Sequence, residues 1–152
     1  NFLRATRICT NDVREMRRAF ERAVFNVAFN NRDDHPKNFA YVMAPNGQWR
    51  LAPAYDVTFC EGPGGYHQMD VMGEALEISR THMLRFAEEA EVPQDVAGRM
   101  IDDICEVAGQ FSDMAENMYP RIITRDTLRT IQGRINENVA LLRQAPVGRA
   151  RR

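Results

Sequence analysis

A chain of 152 residues, 44% hydrophobic and 27% charged, has room for one ordinary domain with a real core and is not of disordered composition. Three scattered cysteines, Cys9, Cys60 and Cys105, form no CxxC pair. They indicate neither a disulfide framework nor a structural zinc site and fit a reducing, cytoplasmic setting. No apolar run reaches the roughly 18 residues of a membrane span, and no signal-peptide core opens the chain, so no membrane partner is expected.

The net charge of −1 conceals an arginine-rich beginning, with Arg4, Arg7, Arg14, Arg17, Arg18, Arg22 and Arg32. That pattern reads as the solvated face of an amphipathic helix in preference to a nucleic-acid surface. Asn11 or Asp12 can cap a helix whose apolar positions Met16, Phe20, Val24, Val27 and Ala28 recur at helical spacing. Asn30 and Asn31 favour leaving it. "NFAYVM", "APNGQ" and "WRLA" then read as a β-hairpin about an Asn-Gly turn, followed by "PAYDV" at the exit of the second strand. Residues 59–66, "FCEGPGGY", are expected to be an exposed, mobile loop.

The rest of the chain is helical in pattern. Ser79 or Thr81 can cap "THMLRFAEEAEV", and Pro93 suits the start of a helix running from about Gln94 to Met118. Pro120 ends that helix, with Met100, Met114 and Met118 at core spacing. Thr124 opens a last helix carrying Leu128, Ile131, Ile135, Val139 and Leu142, and residues 146–152 read as a basic, flexible tail. The predicted fold is mainly α with one small hairpin. It forms a single lobe over residues 1–145. The chain begins at Asn1 already within helical periodicity, which reads as part of a longer protein.

The chemistry is concentrated in "NNRDDHPKNF", between the first long helix and the hairpin. Asp33 and Asn38 lie five positions apart, the separation of the base and the metal-binding amide in protein-kinase catalytic loops. Phosphoryl transfer needs a carboxylate to take the acceptor proton, an amide oxygen on magnesium, and a second carboxylate to complete the metal site. Asp56 can supply the last, because a hairpin returns its exit to its entrance. Lys37, the sole lysine of the chain, offers a compact ammonium where arginine is otherwise used throughout. Asp34 is read as a bystander able to cap a turn, and His67 and His82 as structural. Tyr41 and Trp49 are read as hairpin packing.

"NNRDDHPKNFAYV" followed by "WRLAPAYDV" resembles the catalytic segment of the HipA family, the kinase toxins of bacterial toxin–antitoxin pairs. The family pattern is close to D-x-H-x-K-N, a hairpin, then P-x-Y-D. Here it falls on Asp33, His35, Lys37 and Asn38, then Pro53, Tyr55 and Asp56. The likeness extends over roughly residues 20–118. It implies the fold of a kinase-like C-terminal lobe, with catalytic loop 30–38 and metal-binding segment 53–56. It also implies ATP and Mg2+ as cofactors, with Asp33 as catalytic base, His35 bracing the loop and Lys37 near the transferred phosphate. Asn38 and Asp56 would hold the metal, and Tyr55 would lie at the nucleotide side. The implied substrate is a protein hydroxyl, with glutamyl-tRNA synthetase the best-known aminoacyl-tRNA synthetase among family targets. The implied partner is a HipB-like helix-turn-helix antitoxin, through which alone DNA is contacted. No Gly-rich phosphate loop or nucleotide-binding lysine is present, so the chain by itself is expected to be a nearly inactive kinase lobe. Two alternatives are a non-catalytic module that docks the antitoxin and a small-molecule phosphotransferase of the aminoglycoside type.

Overall fold

The computed structural model describes residues 2–144, and the basic tail lies outside them. Among the described residues, the chain folds as six helices with one two-stranded antiparallel hairpin. They are α1 (Phe2–Thr10), α2 (Val13–Ala28), β1 (Tyr41–Met43), β2 (Trp49–Leu51), α3 (Arg80–Glu89), α4 (Gln94–Gly109), α5 (Phe111–Met118) and α6 (Arg125–Arg143). The mainly helical expectation holds, and none of the helices is long and apolar enough to cross a membrane.

α2 is the central element. Met16, Ala19, Phe20, Ala23, Val24 and Val27 are all buried, at the three- and four-residue spacing that lays one helical stripe against a core. Asp12 starts this helix by accepting the Arg14 N–H at 2.8 Å. The Arg14 guanidinium closes on the same carboxylate and helps hold its pKa at about 2. α4 presents Ala97, Ile101, Cys105 and Ala108 to the core, and α6 adds Ile135, Val139 and Leu142. Thr124 caps α6 through the Thr127 N–H. Arg80 joins three helices, with its guanidinium on Asp102 of α4 and on the Leu142 carbonyl of α6.

The hairpin lies on α2 through two polar ties. The buried carboxylate of Glu15 accepts the Leu51 N–H at 2.9 Å, and Arg22 donates to the Ala52 carbonyl at 2.8 Å. The register pairs Tyr41 with Leu51 and Met43 with Trp49, so Trp49 stands opposite Met43 on an exposed face. Tyr41 instead meets the Thr6 hydroxyl at 2.8 Å, tying the hairpin to α1.

Three expectations need correction. The helix predicted over 94–118 is two helices, because Gln110 leaves helical geometry at φ −101°, ψ 6°. There α6 intercepts the chain, with the Gln132 side chain accepting the Ser112 N–H at 2.9 Å and the Leu128 carbonyl accepting its hydroxyl. In consequence Met114 and Met118 are exposed rather than in the core, and only Met100 is buried. Loop 59–66 is not a free surface excursion either. Cys60 pairs with Asn31 as an isolated parallel bridge, and the Arg32 guanidinium reaches the Gly65 carbonyl. Gly62, at φ +71°, packs so closely that an added Cβ would overlap the Tyr66 carbonyl and sit 2.9 Å from the Arg32 Cβ.

Candidate active site

The catalytic-loop segment begins where α2 ends. Asn30 adopts the left-handed conformation at φ +55°, which asparagine tolerates better than most residues. The Asn31 N–H then reaches back to the Asn26 carbonyl at 2.8 Å, and the Asn30 N–H to that of Val27 at 3.3 Å. This is a Schellman C-terminus, which reverses the chain while satisfying two terminal carbonyls. The Asn30 side chain is fully buried. It donates to the Cys60 carbonyl at 3.2 Å and accepts from the Asn138 amide of α6 at 3.1 Å. The loop is therefore anchored at its start to two distant parts of the chain.

Its far end closes as a 3-10 turn over Pro36–Asn38. His35 accepts the Lys37 N–H on Nδ1 at 3.2 Å. The Asn38 side-chain amide donates to the Asp33 backbone carbonyl at 2.7 Å. That bond spans the five-residue interval and leaves the Asn38 Oδ1 available for a cation. Asp33 is half-buried, and its Oδ1 accepts from the Gln68 side chain at 2.7 Å. Lys37 is exposed, and its carbonyl accepts the Tyr55 hydroxyl at 2.7 Å, so the exit of the hairpin does return to the loop.

Asp33, Asn38 and Tyr55 line one small cavity of about 10 Å³, together with Arg22 and Asn31. Arg22 Nη1 and Asn31 Oδ1 are buried without a hydrogen-bond partner. The space is that of about one water-sized particle, able to serve both. Burial lowers the pKa of Arg22 from the usual guanidinium value, and the group stays charged. Asp56 does not line this cavity. It is exposed, with its backbone left-handed at φ +52°. Among the described residues no set of three His, Cys, Asp or Glu side chains could hold a metal by itself. Magnesium in phosphoryl-transfer sites takes only one or two protein carboxylates and completes its shell with phosphates and water. Asn38 and Asp56 each carry an oxygen donor of the kind that mode uses.

The family model of the HipA-like C-terminal domain matches residues 1–111. The chain belongs to that family. Its fold is also similar to that of HipA from Shewanella oneidensis MR-1, solved with HipB and its operator DNA. The likeness has a TM-score of 0.63 at 19% identity, covering 80% of this chain and 29% of that one. The chain thus spans less than a third of the length of that protein. No curated protein matches it.

In this HipA-like domain one residue has a part the motif did not disclose. Asp34, read as a bystander, is buried. Its Oδ2 lies 2.9 Å from His67 Nδ1, and its Oδ1 accepts the N–H groups of Gln68 and Met69 at 2.7 and 3.1 Å. The two adjacent aspartates divide the work. Asp34 points inward and clamps the 67–69 segment, and Gln68 of that segment reaches the outward-pointing Asp33. Gln68 was also missed, since it lies thirty-five positions from its partner and a lone glutamine carries no local signal.

Proposed function

We propose that this chain is the C-terminal catalytic lobe of a HipA-like serine/threonine protein kinase. In this reading Asp33 accepts the proton of a substrate hydroxyl as it attacks the γ-phosphate of ATP. The observation that carries the reading is the 2.7 Å bond from the Asn38 amide to the Asp33 carbonyl, which holds a base and a cation-binding oxygen on one short loop. Mg2+, when bound by Asn38 and Asp56, would neutralise charge on the phosphates. Gln68 holds one oxygen of the Asp33 carboxylate and leaves the other toward the acceptor. Lys37 adds positive charge at the exposed edge of the loop, where negative charge develops on the transferred group.

The full-length protein would carry the nucleotide-binding half of the site. By analogy with the Shewanella complex, its partner would be a HipB-like antitoxin that itself contacts operator DNA. The test is ATP-dependent phosphorylation by the full-length protein. Asp33→Asn should lower kcat by about 100-fold or more, the usual contribution of a general base. Undiminished activity in that variant would sink the assignment, and robust activity of the 152-residue chain alone would contradict its reading as half a site. The alternative is a non-catalytic module that docks the antitoxin. Calorimetry with the antitoxin, beside magnesium-dependent nucleotide binding to the full-length protein, separates the two.

A further inference from the structure

Gln68, which holds Asp33, also forms part of the wall of a second and much larger cavity of about 510 Å³. That size is typical of pockets that enclose a whole ligand group. Its walls are largely apolar, with Val27 of α2, Phe39, Met69 and Phe86 of α3 among them. The charged groups that line it are of one sign. Asp70 and Glu89 are exposed and Asp34 is buried, while no arginine or lysine contributes to the lining.

The three carboxylates are not equivalent. Asp34 is engaged by His67 and two backbone N–H groups. Asp70 uses one oxygen on the Gly73 N–H at 2.9 Å. Among the described residues neither Asp70 nor Glu89 pairs with a cationic side chain. A largely apolar wall that carries exposed carboxylates matches a group that is aliphatic along its length and cationic at its tip. Lysine and arginine side chains have that form, burying the stem and keeping the charge at the rim. A carboxylate-bearing group would be repelled, and a purely apolar one would gain nothing from the two exposed carboxylates.

The cavity adjoins the candidate base through a single side chain. A polypeptide advances about 3.3–3.6 Å per residue when extended, so the residues beside a hydroxyl presented to Asp33 lie within a few ångströms of it, on the scale of the Gln68 side chain that joins Asp33 to the cavity. We propose that the cavity receives an arginine or lysine side chain next to the acceptor serine or threonine of a protein substrate. The proposal rests on the reading of Asp33 as the base, and it specifies the class of sequence that the site accepts.

The test is binding without nucleotide, followed by amide chemical shifts of the 152-residue chain. The probes are acetylated, amidated pentapeptides Ala-Xaa-Ser-Ala-Ala and Ala-Ala-Ser-Xaa-Ala, with Xaa as arginine, norleucine or glutamate. At least one arginine peptide should bind about tenfold or more tightly than its glutamate counterpart, a ratio appropriate to one well-placed charge contact. The shifts should centre on Met69, Asp70, Val71 and Glu89. In the doubly substituted Asp70→Asn, Glu89→Gln chain that ratio should collapse, while the norleucine peptides bind as before. Both positions are exposed, and asparagine keeps an acceptor for Gly73, so the variant is expected to fold. Equal affinity for arginine and glutamate peptides, a preference that survives the double substitution, or shifts on another face would each overturn the proposal. Phosphorylation of these peptides by the full-length protein separates the two readings. Transfer with no preference for a basic neighbour counts against the cavity alone. Arginine-selective binding with no transfer counts against the kinase reading alone.

Discussion

Replacing Asn30 probes the anchor of the candidate loop, because three separate effects meet at one fully buried side chain. Asn30→Gly keeps the left-handed backbone but removes the bonds to the Cys60 carbonyl and the Asn138 amide. Two such bonds are worth about 1 kcal/mol each in net terms. Leaving the buried Asn138 donor unsatisfied adds up to a similar amount, reduced where water can enter the vacated space. The total for Asn30→Gly is about 2–3 kcal/mol. Asn30→Ala loses the same bonds and must also hold φ near +55°, which costs about 1 kcal/mol more. Urea unfolding of the 152-residue chain, followed by helical circular dichroism, measures both. With a slope of about 2 kcal/mol per molar for a domain of this size, the midpoint should fall by about 1–1.5 M for glycine and further for alanine. A double cycle with Asn138→Ala should return a coupling of about 1 kcal/mol. Variants within about 0.5 kcal/mol of the parent would refute the anchoring argument. Alanine no worse than glycine would refute the backbone part of it.

Asp34 and Asp33 should behave oppositely on stability. Asp34→Ala strips acceptors from His67 and two backbone N–H groups, costing about 3 kcal/mol in thermal unfolding, whereas the half-buried Asp33 should change stability by under about 1 kcal/mol. The Asp12 cap gives a pH dependence of defined sign. Its pKa is depressed from 3.8 to about 2 in the folded chain, so its contribution is present above pH 4 and is lost as the pH falls from about 4 to about 2. The difference in melting temperature between the parent and Asp12→Asn should narrow across that window and be flat above it. Thiol labelling under native conditions should modify exposed Cys9 first and spare Cys105, which is buried and whose pKa is raised by that burial. Rapid native labelling of Cys105 would contradict the packing of α4 against α6.

What could be read from the sequence was the chemistry carried by near neighbours in the chain. The stripe of α2, the caps at Asp12 and Thr124 and the Asn-Gly hairpin turn all rest on residues within a few positions of each other. So does the braced turn around His35 and Asn38. Where the reading failed, a distant residue decided the outcome. Gln132 of α6 opens the helix at Gln110, Arg32 holds Gly65 in the glycine-rich loop, and His67 gives Asp34 its buried place. Two adjacent aspartates look interchangeable in a string, but they take different partners, Asp34 the buried His67 and Asp33 the side chain of Gln68. The return of the hairpin exit to the loop was anticipated and takes the form of the Tyr55–Lys37 bond. The convergence of Asp56 on Asn38 was inferred from the same return; Asp56 is exposed, with a left-handed backbone.

The bond between Asn30 and Asn138 spans 108 positions, and α6 follows the residues shared with the family model. A ribosome adding about 5–20 residues per second takes about 5–20 s to cover that interval. Throughout it the segment bearing Asp33 and Asn38 has been synthesised but lacks its tether to α6. A transcript truncated before the codon for Asn138 would release a chain whose candidate loop never acquires that tether. Completion of the loop is thus coupled to synthesis of α6.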